Sequence, residues 1–114
     1  MAKFLVTIHR PFGFDHEKGV TPAVMADIDR VNDEMVAAGV RVFVGGLKPI
    51  GTARALRRGA DGVISESEGL YLKAAEYADG LWVLECSSME EAVEWGKKAA
   101  AACRGGVEVR EFHG

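Results

Sequence analysis

The sequence contains no run of about eighteen apolar residues, the least that a helix needs to cross a membrane. The apolar stretch Phe4 to Ile8 is too short for a span or for the hydrophobic region of a signal peptide. No membrane partner and a cytoplasmic location are the expectations. Excess positive charge is missing too: fourteen Lys and Arg stand against seventeen Asp and Glu, for a formal charge of -3. Without a basic footprint, nucleic acid is not an expected partner. Cysteine is scarce, and Cys86 and Cys103 have the spacing of neither a metal site nor a disulfide framework, so both read as reduced core thiols. Gly45-Gly46 is followed by no lysine-serine pair, which leaves a phosphate loop without support. Asp15, His16 and Glu17 are adjacent in a glycine-containing loop and define no ligand geometry, and His113 lies at the tail. No metal and no cofactor are expected.

What is present is an ordinary globular composition, 48% hydrophobic and 27% charged. At 114 residues the chain suits one domain, residues 1–114, and can bury roughly two-thirds of its unfolded surface. Lys3 to Arg10 reads as a strand, with Phe4, Val6 and Ile8 alternating with Leu5, Thr7 and His9, and Pro11 ends its pairing. Pro11 to Val20 reads as a surface loop. Thr21-Pro22 then opens a helix to about Ala38, whose buried stripe is Val24, Ile28, Val31 and Met35, and Gly39 stops it.

Arg41 to Val44 forms a second short strand. Thr52 to Arg58 and Gly62 to Glu66, joined by Gly59-Ala60-Asp61-Gly62, form a small hairpin. Glu68 to Asp79 carries enough helix formers for a turn or two. Leu81 to Cys86 is the next strand. Ser87 or Ser88 caps a second long helix with Met89, Ala92, Val93, Gly96, Ala99, Ala100 and Cys103 on its core side. Val107 to Phe112 is the last strand. The order predicts an α+β fold, a ferredoxin-like βαββαβ sheet with an inserted hairpin and both helices on one face. The uncovered face then carries Leu5, Thr7 and His9 beside an apolar strand. A second copy of the same sheet is the natural cover, which predicts a homodimer forming a dimeric α+β barrel.

Several segments resemble the YCII-related family in its DGPF type. The family segment reads Asp-Gly-Pro-Phe-Ala-Glu-Thr-Lys-Glu, two residues, Gly-Gly and an apolar strand. In the same register this chain reads Glu68-Gly69-Leu70-Tyr71-Leu72-Lys73-Ala74-Ala75-Glu76-Tyr77-Ala78-Asp79-Gly80, then Leu81-Trp82-Val83-Leu84-Glu85. Gly69, Glu76 and Gly80 match, and Glu68 and Tyr71 are conservative replacements. Leu70, Lys73, Ala74, Ala75 and Asp79 depart from the pattern. Ala38-Gly39-Val40, Gly46-Leu47-Lys48-Pro49 and Met89 to Trp95 leading into Val107 to Arg110 extend the resemblance over nearly the whole chain. It implies a ferredoxin-like fold paired as a dimeric α+β barrel. It implies much less about activity, since most relatives have no assigned reaction and a few look like small-molecule enzymes such as muconolactone-type dehalogenases. Where some relatives use a first-helix histidine beside a carboxylate, this chain has Ile28 and Asp29. The departures imply either a divergent substrate or a protein that binds without catalysis.

Two roles fit His9. On the barrel face its imidazole suits proton transfer near neutral pH; at a strand end it can instead bond to backbone or water. Glu68 and Tyr71, at the strongest family positions, can reach a pocket, with Glu68 sharing a proton with His9, or can cap and pack. Glu76 reads as a surface partner of Lys73 or Arg58. Glu108, Arg110 and Phe112 share one face of the last strand, where Arg110 would favour a carboxylate-bearing ligand or pair with Glu108. The candidate set is thus His9 and Glu68 as catalytic groups, with Thr7, Tyr71 and Arg110 as ligand-binding groups. The expected function is binding of a small organic metabolite in a cavity formed by the dimer. The alternative is a dehalogenase- or isomerase-like enzyme with His9 as acid and base.

Overall fold

A computed structural model describes residues 1–114. Six strands and three helices alternate in an α+β arrangement. The first strand, β1, covers Ala2–Pro11. Two helices follow, the single turn α1 at His16–Gly19 and the long α2 at Pro22–Ala37. Strand β2 is Arg41–Gly46, and a 3-10 turn at Ile50–Thr52 leads into the hairpin of β3, Arg54–Arg58, and β4, Ile64–Glu68. Strand β5 covers Glu76–Cys86, helix α3 Met89–Cys103, and strand β6 Gly106–Glu111. The main sheet runs β2-β5-β1-β6 with every neighbour antiparallel, while β3 and β4 pair only with each other. This order is compatible with a ferredoxin-like arrangement carrying an inserted hairpin. No helix is long and apolar enough to cross a membrane.

Local chemistry accounts for the helix ends. Thr21 accepts a hydrogen bond from the Val24 amide through its hydroxyl, and Pro22 occupies the first helical position. Ser88 Oγ accepts from the Glu91 amide, and the Glu91 carboxylate reaches back to the Ser87 amide and hydroxyl. Those bonds hold the Glu91 carboxyl below its ordinary value. The Pro11–Val20 segment, expected to be a loop throughout, contains α1 because Asp15 accepts from the Glu17 and Lys18 amides.

Both long helices cover one face of the sheet. Phe4 and Val6 of β1 meet Trp82, Leu84 and Cys86 of β5, Val31 and Met35 of α2, and Ala92, Ala99, Ala102 and Cys103 of α3 in one core. The expected α2 stripe holds, with Ile28 at the core margin. On α3, Met89 is more exposed than expected and Ala102 is buried. Trp82 fills the centre of the core, and its indole Nε1 donates to Asn32 Oδ1 at 2.9 Å, so its only polar atom is satisfied. Gly96 lets α3 lie close on β6: a Cβ there would stand 2.8 Å from Val109 Cγ2. Cys86 and Cys103 are both free and buried. Burial pushes the Cys86 thiol up to about 11, helped by Glu91, and also raises the Cys103 thiol.

Strand β5 departs most from expectation. It begins at Glu76, five residues before Leu81, and no helix forms between Glu68 and Asp79. Pairing with β1 at Arg10–Tyr77 and Pro11–Glu76 outweighs the local helix propensity. The register shifts between Ile8, opposite Gly80, and His9, opposite Ala78. Asp79 is thereby left without a partner on β1, and the buried positions of β5 change from even to odd numbers below it.

Candidate functional site

The face of the sheet away from the helices is built in rows, because directly paired residues share a side. One row runs Phe43, Val83, Leu5, Arg110, and the next Gly45, Leu81, Thr7, Glu108. His9 stands in a third row between Ala78 and Gly106. Since Phe4 and Val6 enter the core, the alternation of β1 sends Leu5, Thr7 and His9 to this face, and Val107 and Val109 pack toward the helices while Glu108 and Arg110 do not. Phe43 is 58% exposed at the β2 side of the face.

His9 Nε2 and Thr7 Oγ1 are 2.9 Å apart, a hydrogen bond within the strand. The ring borders a hollow of about 320 Å³ whose walls are Leu70, Tyr71, Leu72, Ala74, Glu76, Tyr77 and Ala78. His9 and Tyr71 therefore come together, with Thr7 bonded to the ring. The Arg57 guanidinium lies 4.0 Å from the centre of the Tyr71 ring and donates to the Tyr71 carbonyl at 2.9 Å, which ties the hairpin to this wall. Arg110 belongs to the same sheet face but stands on β6 opposite Leu5, two strands over from β5 and four residues along from the row of His9. Glu68 does not join them. It ends β4 opposite Arg54 and is exposed, outside the hollow. The carboxylate in the hollow is Glu76, which pairs with neither Lys73 nor Arg58.

A second group of polar side chains lies at the same end of the sheet on the helix side. Arg10 is 3% exposed, the one buried charged residue of the chain. Its Nη1 donates to the carbonyls of Cys103 at 2.6 Å and Arg104 at 3.3 Å, at the end of α3. Its Nε lies 3.6 Å from Asp79 Oδ2. Both Asp79 oxygens are 3.0 Å from His16 Nε2. The Phe14 ring lies over the Arg10 guanidinium at 4.5 Å and meets the His16 ring edge-on at 4.9 Å. Burial and the Asp79 carboxylate raise the Tyr77 hydroxyl above its ordinary value, against the pull of Arg10.

Sequence reading passed over this group. One signal was available: Arg10 continues the inward phase of Phe4, Val6 and Ile8, and a charge in that phase must be paired. Asp79 and His16 carried none, because the bulge that places Asp79 has no local signature. The largest hollow, about 530 Å³ between α2 and α3, is lined by Asp27, Arg30, Glu34, Lys98 and Arg104. These charges pair among themselves, Asp27 with Arg104 and Arg30 and Glu34 with Lys98, at 2.7 to 2.8 Å. It offers a ligand no unpaired group.

Among comparisons with known proteins, no family model matches the chain, and no curated protein matches it.

Proposed function

We propose that the protein binds a small organic metabolite in a cavity formed between two copies of the chain, with the helix-free sheet faces meeting and His9 in the space between them. The observation that carries this reading is the composition of that face. Leu5, Leu81, Val83 and Phe43 form an apolar centre that water covers poorly, and Thr7, His9, Glu108 and Arg110 are the polar groups around it. Two such faces packed about 10 Å apart would bury the apolar centre and leave the polar groups lining the space. In this arrangement the fold is the ferredoxin-like half of a dimeric α+β barrel. The family resemblance, with its eroded Asp-Gly-Pro-Phe segment, supports the same reading of a YCII-related protein that binds rather than converts its ligand.

The hollow beside His9 has mostly apolar walls with His9 and Glu76 as its polar side chains besides two tyrosines. A compact, largely apolar molecule with one or two hydrogen-bonding groups fits that lining. Sedimentation tests the assembly. A dimer at micromolar concentration that Leu5→Glu dissociates supports the reading, and a monomer of the parent chain overturns it.

One observation favours an enzyme as the second reading. Glu76 borders the same hollow as His9, so a carboxylate and an imidazole face one space, as general acid-base chemistry requires. His9→Ala and Glu76→Gln would each then abolish turnover while keeping the dimer. A ligand that binds and is released unchanged leaves the binding reading alone.

A further inference from the structure

The β3–β4 hairpin stands apart from the rest of the chain. Its strands pair only with each other, and of residues 54–68 Ala55 alone is buried while all the others are exposed. Two bonds near its root hold it, one from the Gly69 amide to the Ala53 carbonyl at 2.8 Å and one from Arg57 Nη2 to the Tyr71 carbonyl at 2.9 Å. The register sorts its side chains. Ala55 and Arg57 share the side toward the body of the chain with Ser65 and Ser67, and Arg54, Leu56 and Arg58 share the outer side with Ile64, Glu66 and Glu68. On that outer side Leu56 is 60% and Ile64 56% exposed. A two-stranded hairpin with both faces in water is marginally stable, so this one calls for a cover.

Surface area gives the size of the cover. The chain exposes 7611 Å², whereas a compact monomer of its mass exposes about 6,100 Å². Its radius of gyration is 15.9 Å, against about 13 Å for a compact chain of this length. The excess surface, about 1,500 Å², is what one partner contributes to a permanent homodimer. Charge points to the same occupant. Strand β3 carries Arg54, Arg57 and Arg58 and no acid, while β4 carries Glu66 and Glu68 and no base. Arg54 pairs with Glu66, and Arg58 and Glu68 have no ion-pair partner within the chain. A surface that is basic along one strand and acidic along the next is complementary to its own twofold-related copy. The root of the hairpin, through Arg57 on Tyr71, also borders the His9 hollow and hence the face on which the second copy is proposed to sit.

From these observations we infer that the hairpin is an arm that packs on the second copy of the chain, with Leu56 and Ile64 buried against it and Arg58 and Glu68 paired across the contact. The arm rests on the dimeric reading above and is a separate contact, since the sheet faces can meet with the hairpins left in water.

A mixed sample of carbon-13-labelled and unlabelled full-length chains tests the arm by isotope-filtered NMR. The Leu56 and Ile64 methyl groups should show NOEs to protons of the unlabelled copy. The double variant Leu56→Lys, Ile64→Glu should raise the dimer dissociation constant at least about tenfold in sedimentation, as the loss of two buried apolar side chains requires. Its Trp82 fluorescence should match the parent, because the main core is untouched. A parent chain that is monomeric overturns the arm together with the dimer. A dimer that Leu5→Glu dissociates, but whose hairpin methyl groups contact only their own chain or whose double variant dimerises as tightly as the parent, overturns the arm alone and leaves the hairpin to a different protein. The NOEs are read on the parent, so they decide the matter even where the double variant does not fold.

Discussion

Arg10 Nη1 and the carbonyl oxygen of Cys103 lie 2.6 Å apart across 93 residues of sequence. The contact joins the end of β1 to the last turn of α3. The final carbonyls of a helix have no partner within it and form the negative end of its dipole, so a buried cation there satisfies both the geometry and the charge. Arg104 complements it from outside, with Nη1 donating to the Ala102 carbonyl at 2.7 Å.

Arg10→Met should therefore lower the unfolding free energy by about 3 kcal/mol, since it strips two helix-end carbonyls and leaves the Asp79 carboxylate with His16 alone. Arg104→Ala, at a more exposed position, should cost less than about 1 kcal/mol. Urea denaturation of both variants gives the comparison, and equal losses would contradict the role assigned to Arg10.

The Trp82–Asn32 bond yields a double-mutant test. Asn32→Leu orphans the buried indole N–H and should cost about 1 to 2 kcal/mol. With Trp82→Phe already present, the same change should cost measurably less, and additive losses would show that the bond contributes nothing.

At Gly96, two effects oppose each other. Alanine gains about 1 kcal/mol of helix propensity but meets Val109 Cγ2 at 2.8 Å, and overpacking of this kind costs about 1 to 3 kcal/mol. Gly96→Ala should be net destabilising in thermal unfolding. In a Val109→Ala background it should become stabilising, because the obstructing methyl is gone.

Acid should weaken the fold in part through Asp27 and Glu91. Hydrogen bonds from Arg104, then Arg30, hold the Asp27 carboxyl below its ordinary 3.8, and bonds from Ser87 hold Glu91 below 4.5. For a lowered carboxyl the contribution is complete above the unfolded value and lost as pH falls through the folded one. Stability should thus decline as pH drops below about 4.5. Asp27→Asn and Glu91→Gln should each flatten that decline while leaving the slope between pH 6 and 8 unchanged, as followed by denaturation at a series of pH values.

Much of the frame could be read locally. The alternation of β1 separated Phe4, Val6 and Ile8 from Leu5, Thr7 and His9, and the same phase argument grouped Arg110 with Glu108, while the packing of Phe4 and Val6 into the core decided which set faces the helices. Thr21-Pro22 and Ser88 with Glu91 announced their helices, since capping needs only neighbours in sequence. The hairpin also formed about its glycine turn, its first strand starting two residues late at Arg54–Arg58 and its second shifted by two to Ile64–Glu68.

What the chain's local pattern determined, then, is which residues form each element and which of them share a side, because periodicity and capping are short-range. Tertiary pairing decided the rest. Strand β5 extends to Glu76 only because β1 offers it partners, and that extension, rather than the family position of Glu68, puts a carboxylate in the hollow of His9. The bulge at Asp79 inserts one residue into an otherwise regular ladder and reverses the phase below it, so no periodicity could place Asp79 between Arg10 and His16. The burial of Arg10 likewise depends on carbonyls 93 and 94 residues away, a compensation that exists only once α3 has docked on the sheet.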